Sequence, residues 1–144
     1  MIVHEERTWR LRLPSNEDSL LRVVDLVDNL KLELNIPETV YGNIMITVTE
    51  AVNNAIRHGN CGDESKKVDV ELRTQDDCLI VSVTDEGPGF DYTNVKDPTD
   101  PENLLSPSGR GVFIIKNFSD FAEYKGSGNR VEFGFYLTPK PVLA

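Results

Sequence analysis

Residues 48–60 read VTEAVNNAIRHGN, a segment whose apolar positions recur at helical spacing. With Ile44 upstream, Val48, Ala51, Val52 and Ala55 form one stripe that has to be buried against other elements. The rest of the segment does not suit a plain core helix. Glu50 and Asn54 fall only roughly 40° apart on a helix of 3.6 residues per turn, at the border of the apolar stripe. A fold built on this helix must cover one face and leave that polar border at an edge or a cleft.

The flanking sequence supplies the cover. Val3, Trp9, Leu11 and Leu13 share one alternating face between Ile2 and Leu13, which predicts a strand. PSNED follows, with Ser15 as the expected N-cap and acidic residues in the first turn. Leu20, Val23, Val24, Val27 and Leu30 then give a first amphipathic helix, and a second is predicted from about Glu38 to His58. Residues 66–87 read as two antiparallel strands around a polar turn at Gln75-Asp76-Asp77. A long loop spans about 87–111, and a loop of that length in a small domain has a functional or disordered character. VFIIKNFSD predicts a short helix, and the strands FAEYKG and RVEFGFYLT close the chain around GSGN. The order β-α-α-β-β-loop-α-β-β describes an α/β, two-layer α+β domain, with helices on one face of a mostly antiparallel sheet.

Composition narrows the function. The 144 residues make one domain's worth of chain, with a core of useful size. A formal net charge of −9 argues against binding nucleic acid through its phosphates. No apolar run reaches the roughly 20 residues that span a bilayer, and the N-terminus lacks a signal peptide's apolar centre. The expectation is a cytoplasmic protein with no membrane segment. Cys61 and Cys78 have no metal-ligand spacing and read as plain thiols.

Three stretches could carry chemistry. Glu50 and Asn54 are either a solvated helix edge or a ligand site. As a site, the amide oxygen suits a hard cation such as Mg²⁺ and the carboxylate can accept a proton. His58 and Arg57 read as helix C-terminal residues facing the dipole. In VTDEGPGFD, Asp85 ends a strand and Gly87 and Gly89 follow. This is either a tight turn or a carboxylate that accepts a hydrogen bond from an exocyclic amino group, with glycines letting a flat base approach. In SGRGVFII, Gly109 and Gly111 bracket the expected start of a helix. A hinge explains them as well as a phosphate site with Arg110 as a cation does.

Taken in order and spacing, Glu-x-x-x-Asn, Asp-x-Gly-x-Gly and Gly-x-Gly resemble the three boxes of the Bergerat-fold ATPases, a superfamily that includes gyrase, histidine kinases and chaperones. The resemblance runs from about Leu13 to Leu137 and implies a single ATPase domain over 1–144, with an ATP lid at about 87–111. Histidine kinases usually carry Asn at the position of Glu50, and Phe113 stands where their lid has a third glycine. A serine hydroxyl gains from an adjacent base more than an imidazole does. The chain, and DPTDPENLLSPSGRGVFIIKNFSD in particular, is similar to the stand-alone anti-sigma factor serine/threonine kinases.

That resemblance implies roles for particular residues. Glu50 would be the general base and Asn54 the Mg²⁺ ligand. Asp85 would read adenine, with Gly87 and Gly89 giving the base room, and Gly109, Arg110 and Gly111 would hold the phosphates of ATP. It also implies partners: a STAS-domain anti-anti-sigma protein as substrate, a sigma factor or similar target, and a homodimer, with no direct contact to nucleic acid. An ATP-gated binding module without transfer, or a detached histidine-kinase catalytic domain, are the alternatives.

Overall fold

The computed structural model describes residues 6–92 and 107–138. Within them the chain runs β1 (Thr8–Pro14), α1 (Asp18–Glu33), α2 (Glu38–Asn54) with a π-helical turn at Ala55–Gly59, β2 (Lys67–Gln75), β3 (Cys78–Thr84), α3 (Pro107–Phe118), β4 (Phe121–Lys125) and β5 (Arg130–Tyr136). This is the element order expected from periodicity. Residues 2–5 of the expected first strand, and 93–106 of the expected lid, lie outside the described residues. No helix among the described residues is long and apolar enough to cross a membrane.

The strands form one antiparallel sheet in the order β1-β2-β3-β5-β4. Register explains the two layers. Leu11, Val70, Val83, Val131 and Tyr124 form one row across all five strands and face the helices. The adjacent row, Arg10, Glu71, Ser82, Glu132 and Glu123, points the other way and carries the charge. Alternation of apolar and charged residues in the strands thus directs α1, α2 and α3 to a single face. Val23, Val27 and Leu30 of α1 and Ile44, Val48 and Val52 of α2 pack there, together with Leu72, Val81 and Phe133 of the sheet. The Bergerat-type α/β architecture follows.

Two expectations need correction. Ser15 does not cap α1. It is buried, its hydroxyl donates to the Lys66 carbonyl at 2.7 Å, and it accepts from the Asn60 amide at 2.9 Å. Asn16 instead accepts the Ser19 N–H at 3.1 Å. Both residues suit a helix start, and tertiary burial decides between them. The third helix begins at Pro107 rather than Val112, because proline is favoured at a first helical position and glycine is tolerated in the first turns.

Asn60 ties four segments together. Its amide N–H groups reach Ser15 and the Lys67 carbonyl at 2.9 and 3.0 Å, and its oxygen accepts the Glu86 N–H at 2.8 Å. It is 1% exposed, so Asn60→Ala leaves those groups unpaired in the interior. The expected cost is about 2–3 kcal/mol, read as a lower urea midpoint with an unchanged slope.

Candidate functional site

A cavity of about 290 Å³ opens between α2, α3 and the β3–β5 end of the sheet. Val83, Val131 and Tyr124, neighbours in one sheet row, contribute to its lining, and Val112 and Ile115 of α3 line another side. Ala51, Asn54, Ala55, His58 and Gly59 come from the second helix and its π-helical turn. That turn is closed by the Asn60 N–H on the Ala55 carbonyl at 2.8 Å. Such single turns occur mostly within α-helices at functional sites; here the wider turn brings His58 and Gly59 to the cavity beside Asn54.

Asp85 enters from the end of β3 and is half-buried. Its Oδ1 accepts the Gly87 N–H at 2.8 Å. Burial pushes its pKa up, and the Gly87 hydrogen bond opposes that only in part. Its backbone is fixed by the turn before β5: the Asp85 N–H donates to the Asn129 carbonyl at 2.9 Å, and the Asn129 amide donates to the Asp85 carbonyl at 3.1 Å. Glycine is required around this carboxylate for lack of space. A Cβ on Gly59 would overlap the Asp85 carboxylate, and one on Gly87 would overlap the Gly59 carbonyl. Gly89 lines the cavity with φ at 79°, a left-handed conformation that favours glycine.

Phe90 and Tyr124 form the aromatic side of the cavity. Phe90 meets Tyr124 edge-on at 5.1 Å, and Tyr92 stacks on Tyr124 at 6.0 Å. Burial pushes the Tyr124 phenol pKa up, so the hydroxyl is neutral. Such a wall suits a flat aromatic group.

Glu50 lies one turn before Asn54. Its side chain is 14% exposed, and Oε1 pairs with Arg110 Nε at 3.3 Å. The next residue, Gly111, packs so closely on α2 that a Cβ there would overlap the Asn54 amide. Gly111 is therefore a close-approach glycine inside α3 and not a residue preceding it. With the helix starting at Pro107, first-turn N–H groups without an intrahelical acceptor belong to Ser108, Gly109 and Arg110.

Of the residues singled out in the sequence, Asn54, Asp85 and Gly89 line the cavity, and Gly87 supports Asp85. Glu50, Arg110 and Gly111 meet at the α2–α3 contact beside it. His58, read as a helix-terminal residue, lines the cavity, as do Tyr124 and Asn129. The i, i+4 spacing of Asn54 and His58 was a usable signal; nothing local marked Tyr124 or Asn129.

The donor set bears on a metal. Asn54 Oδ1 is buried without a hydrogen-bond partner among the described residues. An orphaned amide oxygen is a hard donor suited to Mg²⁺. No group of three or more His, Cys, Asp or Glu side chains among the described residues could hold a metal. Asn54 would supply an oxygen to a Mg²⁺ ion here, with phosphate and water among its further ligands, a common arrangement for this ion.

Comparison with known proteins identifies the family. The family model for the histidine kinase-like ATPase domain matches residues 13–135. The chain is 39% identical over 84 residues to an anti-sigma F factor from Oceanobacillus iheyensis, covering 56% of each chain. It is 29% identical over 107 residues to the serine-protein kinase RsbW of Listeria innocua, covering 69% of this chain and 68% of that protein. An anti-sigma F factor from Clostridium perfringens is 34% identical over 92 residues, covering 61% of this chain and 64% of the relative. The chain thus spans little more than half the length of the Oceanobacillus relative. The chain belongs to the histidine kinase-like ATPase domain family.

Proposed function

We propose that this chain is an ATP-dependent protein serine/threonine kinase that acts as an anti-sigma-type regulator in the cytosol. The observation that carries the proposal is the pairing on α2 of Glu50, a carboxylate beside the cavity, with the orphaned buried oxygen of Asn54 one turn later. Asp85 accepts the amino group of adenine, and the Phe90 and Tyr124 wall receives the ring. Gly87 holds the Asp85 carboxylate, and Gly89 lets the backbone turn at the cavity rim. The phosphates extend toward Asn54 and the first turn of α3, where the Gly109 N–H and the helix dipole favour negative charge. Asn54 holds Mg²⁺, which neutralises phosphate charge when bound. Glu50 takes the proton of the attacking serine or threonine hydroxyl.

Relatives named anti-sigma F factor and serine-protein kinase support the regulatory part. The proposed target is a sigma factor or a similar protein, the proposed substrate a STAS-domain antagonist, and the working unit a homodimer. Incubation with γ-labelled ATP, Mg²⁺ and STAS-domain proteins tests the reaction. Acid-stable phosphoserine or phosphothreonine on the STAS protein is expected. Acid-labile phosphohistidine would instead make the chain a histidine-kinase catalytic domain. Nucleotide binding without transfer would make it an ATP-gated binding module.

A further inference from the structure

The contact between α2 and α3 assigns Arg110 a duty other than holding phosphate. Two consecutive residues of α3 meet two residues one turn apart on α2: Arg110 on Glu50, and Gly111 on the Asn54 amide. The close approach at Gly111 fixes how α3 sits on α2, and that register places Arg110 Nε 3.3 Å from Glu50 Oε1. Only one carboxylate oxygen is in this hydrogen bond. We infer that Arg110 is a positioning residue for Glu50, holding Oε1 so that Oε2 is presented to the substrate hydroxyl. The inference rests on the kinase reading above.

The chemistry requires such a device. A glutamate on a helix edge has several rotamers, and a base that samples them all spends little time in the productive one. The Arg110 Nε–H is a directional donor within a planar group, so it selects one orientation. The Glu50 side chain is mostly enclosed, whereas Arg110 is 56% exposed. An ion pair with so exposed a partner adds little to stability, so its value lies in orientation. In the transfer step the hydroxyl proton moves to Oε2 of Glu50, the hydroxyl oxygen bonds to the γ-phosphorus, and the bond from that phosphorus to the bridging oxygen breaks. The electron pair of that bond leaves with ADP.

Arg110→Ala and Arg110→Lys, each alone and combined with Glu50→Gln, test the assignment by transfer kinetics and by ATP and ADP titration. Arg110→Ala should lower kcat on the order of 10–100-fold, the usual cost of a misplaced group. KM for ATP and both nucleotide affinities should hold. Lysine, which has no donor at the Nε position, should not restore the rate. In the Glu50→Gln background the Arg110→Ala change should cost nothing further. Losses that multiply in the double variant, or a selective loss of ATP over ADP affinity, overturn the assignment and return Arg110 to the phosphates. A wild-type protein that binds ATP but transfers nothing overturns the kinase reading, and this role with it.

Discussion

Glu50→Gln should lower phosphate transfer to the STAS-domain substrate by roughly 10²–10⁴-fold, the usual contribution of a positioned general base. ATP affinity should stay near that of the wild type. Glutamine keeps the size of the side chain and an oxygen that can still accept the Arg110 N–H, so the α2–α3 contact is preserved. What it lacks is a basic oxygen for the hydroxyl proton, and that proton leaves only in the transition state. Asn54→Ala makes the complementary case. Its orphaned oxygen acts on the bound ground state, so Mg·ATP affinity should fall together with transfer. Calorimetric titration separates the two variants, and rapid-quench kinetics measures their rates. Transfer at the wild-type rate by Glu50→Gln would reduce Glu50 to an edge residue of a buried helix.

The parts of this molecule legible from sequence are those with a local cause. Alternation and helical spacing placed every described element, because burying one face is a demand each segment meets by itself. Asn54 and Asp85 were legible because an amide and a carboxylate stand where an apolar helix and a strand end. Ser15 is ambiguous in sequence because a hydroxyl near a helix start can cap it or serve a buried network, and the competing partner, Asn60, is 45 residues away. The start of α3 at Pro107 lies before the apolar run at Val112 because Gly111 sits inside the helix, where it makes the close contact with Asn54. Asn129 reaches Asp85 because β3 pairs with β5, and Arg110 reaches Glu50 because α3 packs on α2. Those contacts follow from topology, and no short window of sequence contains them.

Asp85→Asn should weaken ATP binding by roughly 10–100-fold, the usual loss when a hydrogen bond to a charged group is removed. An ionised carboxylate only accepts hydrogen bonds, which suits the adenine amino group and opposes the carbonyl oxygen of guanine. Oδ1 already accepts the Gly87 N–H, so an asparagine that keeps that bond turns its NH₂ toward the base. The wild type should therefore prefer ATP to GTP, and the variant should lose most of that preference. Stability should move the other way. Burial raises the Asp85 pKa in the folded protein, so its contribution to stability is full below the unfolded value. That contribution is lost as pH rises through the folded value, and at neutral pH the half-buried charge opposes folding of the free protein. Asp85→Asn removes that charge, and the nucleotide-free variant should melt above the wild type at pH 7, with the difference shrinking in acid. Wild-type ATP affinity should fall as pH drops through the raised Asp85 pKa, while the weaker affinity of the variant should not follow that titration. Equal binding of ATP and GTP by the wild type would remove Asp85 from base recognition and leave it as the end of a tight turn.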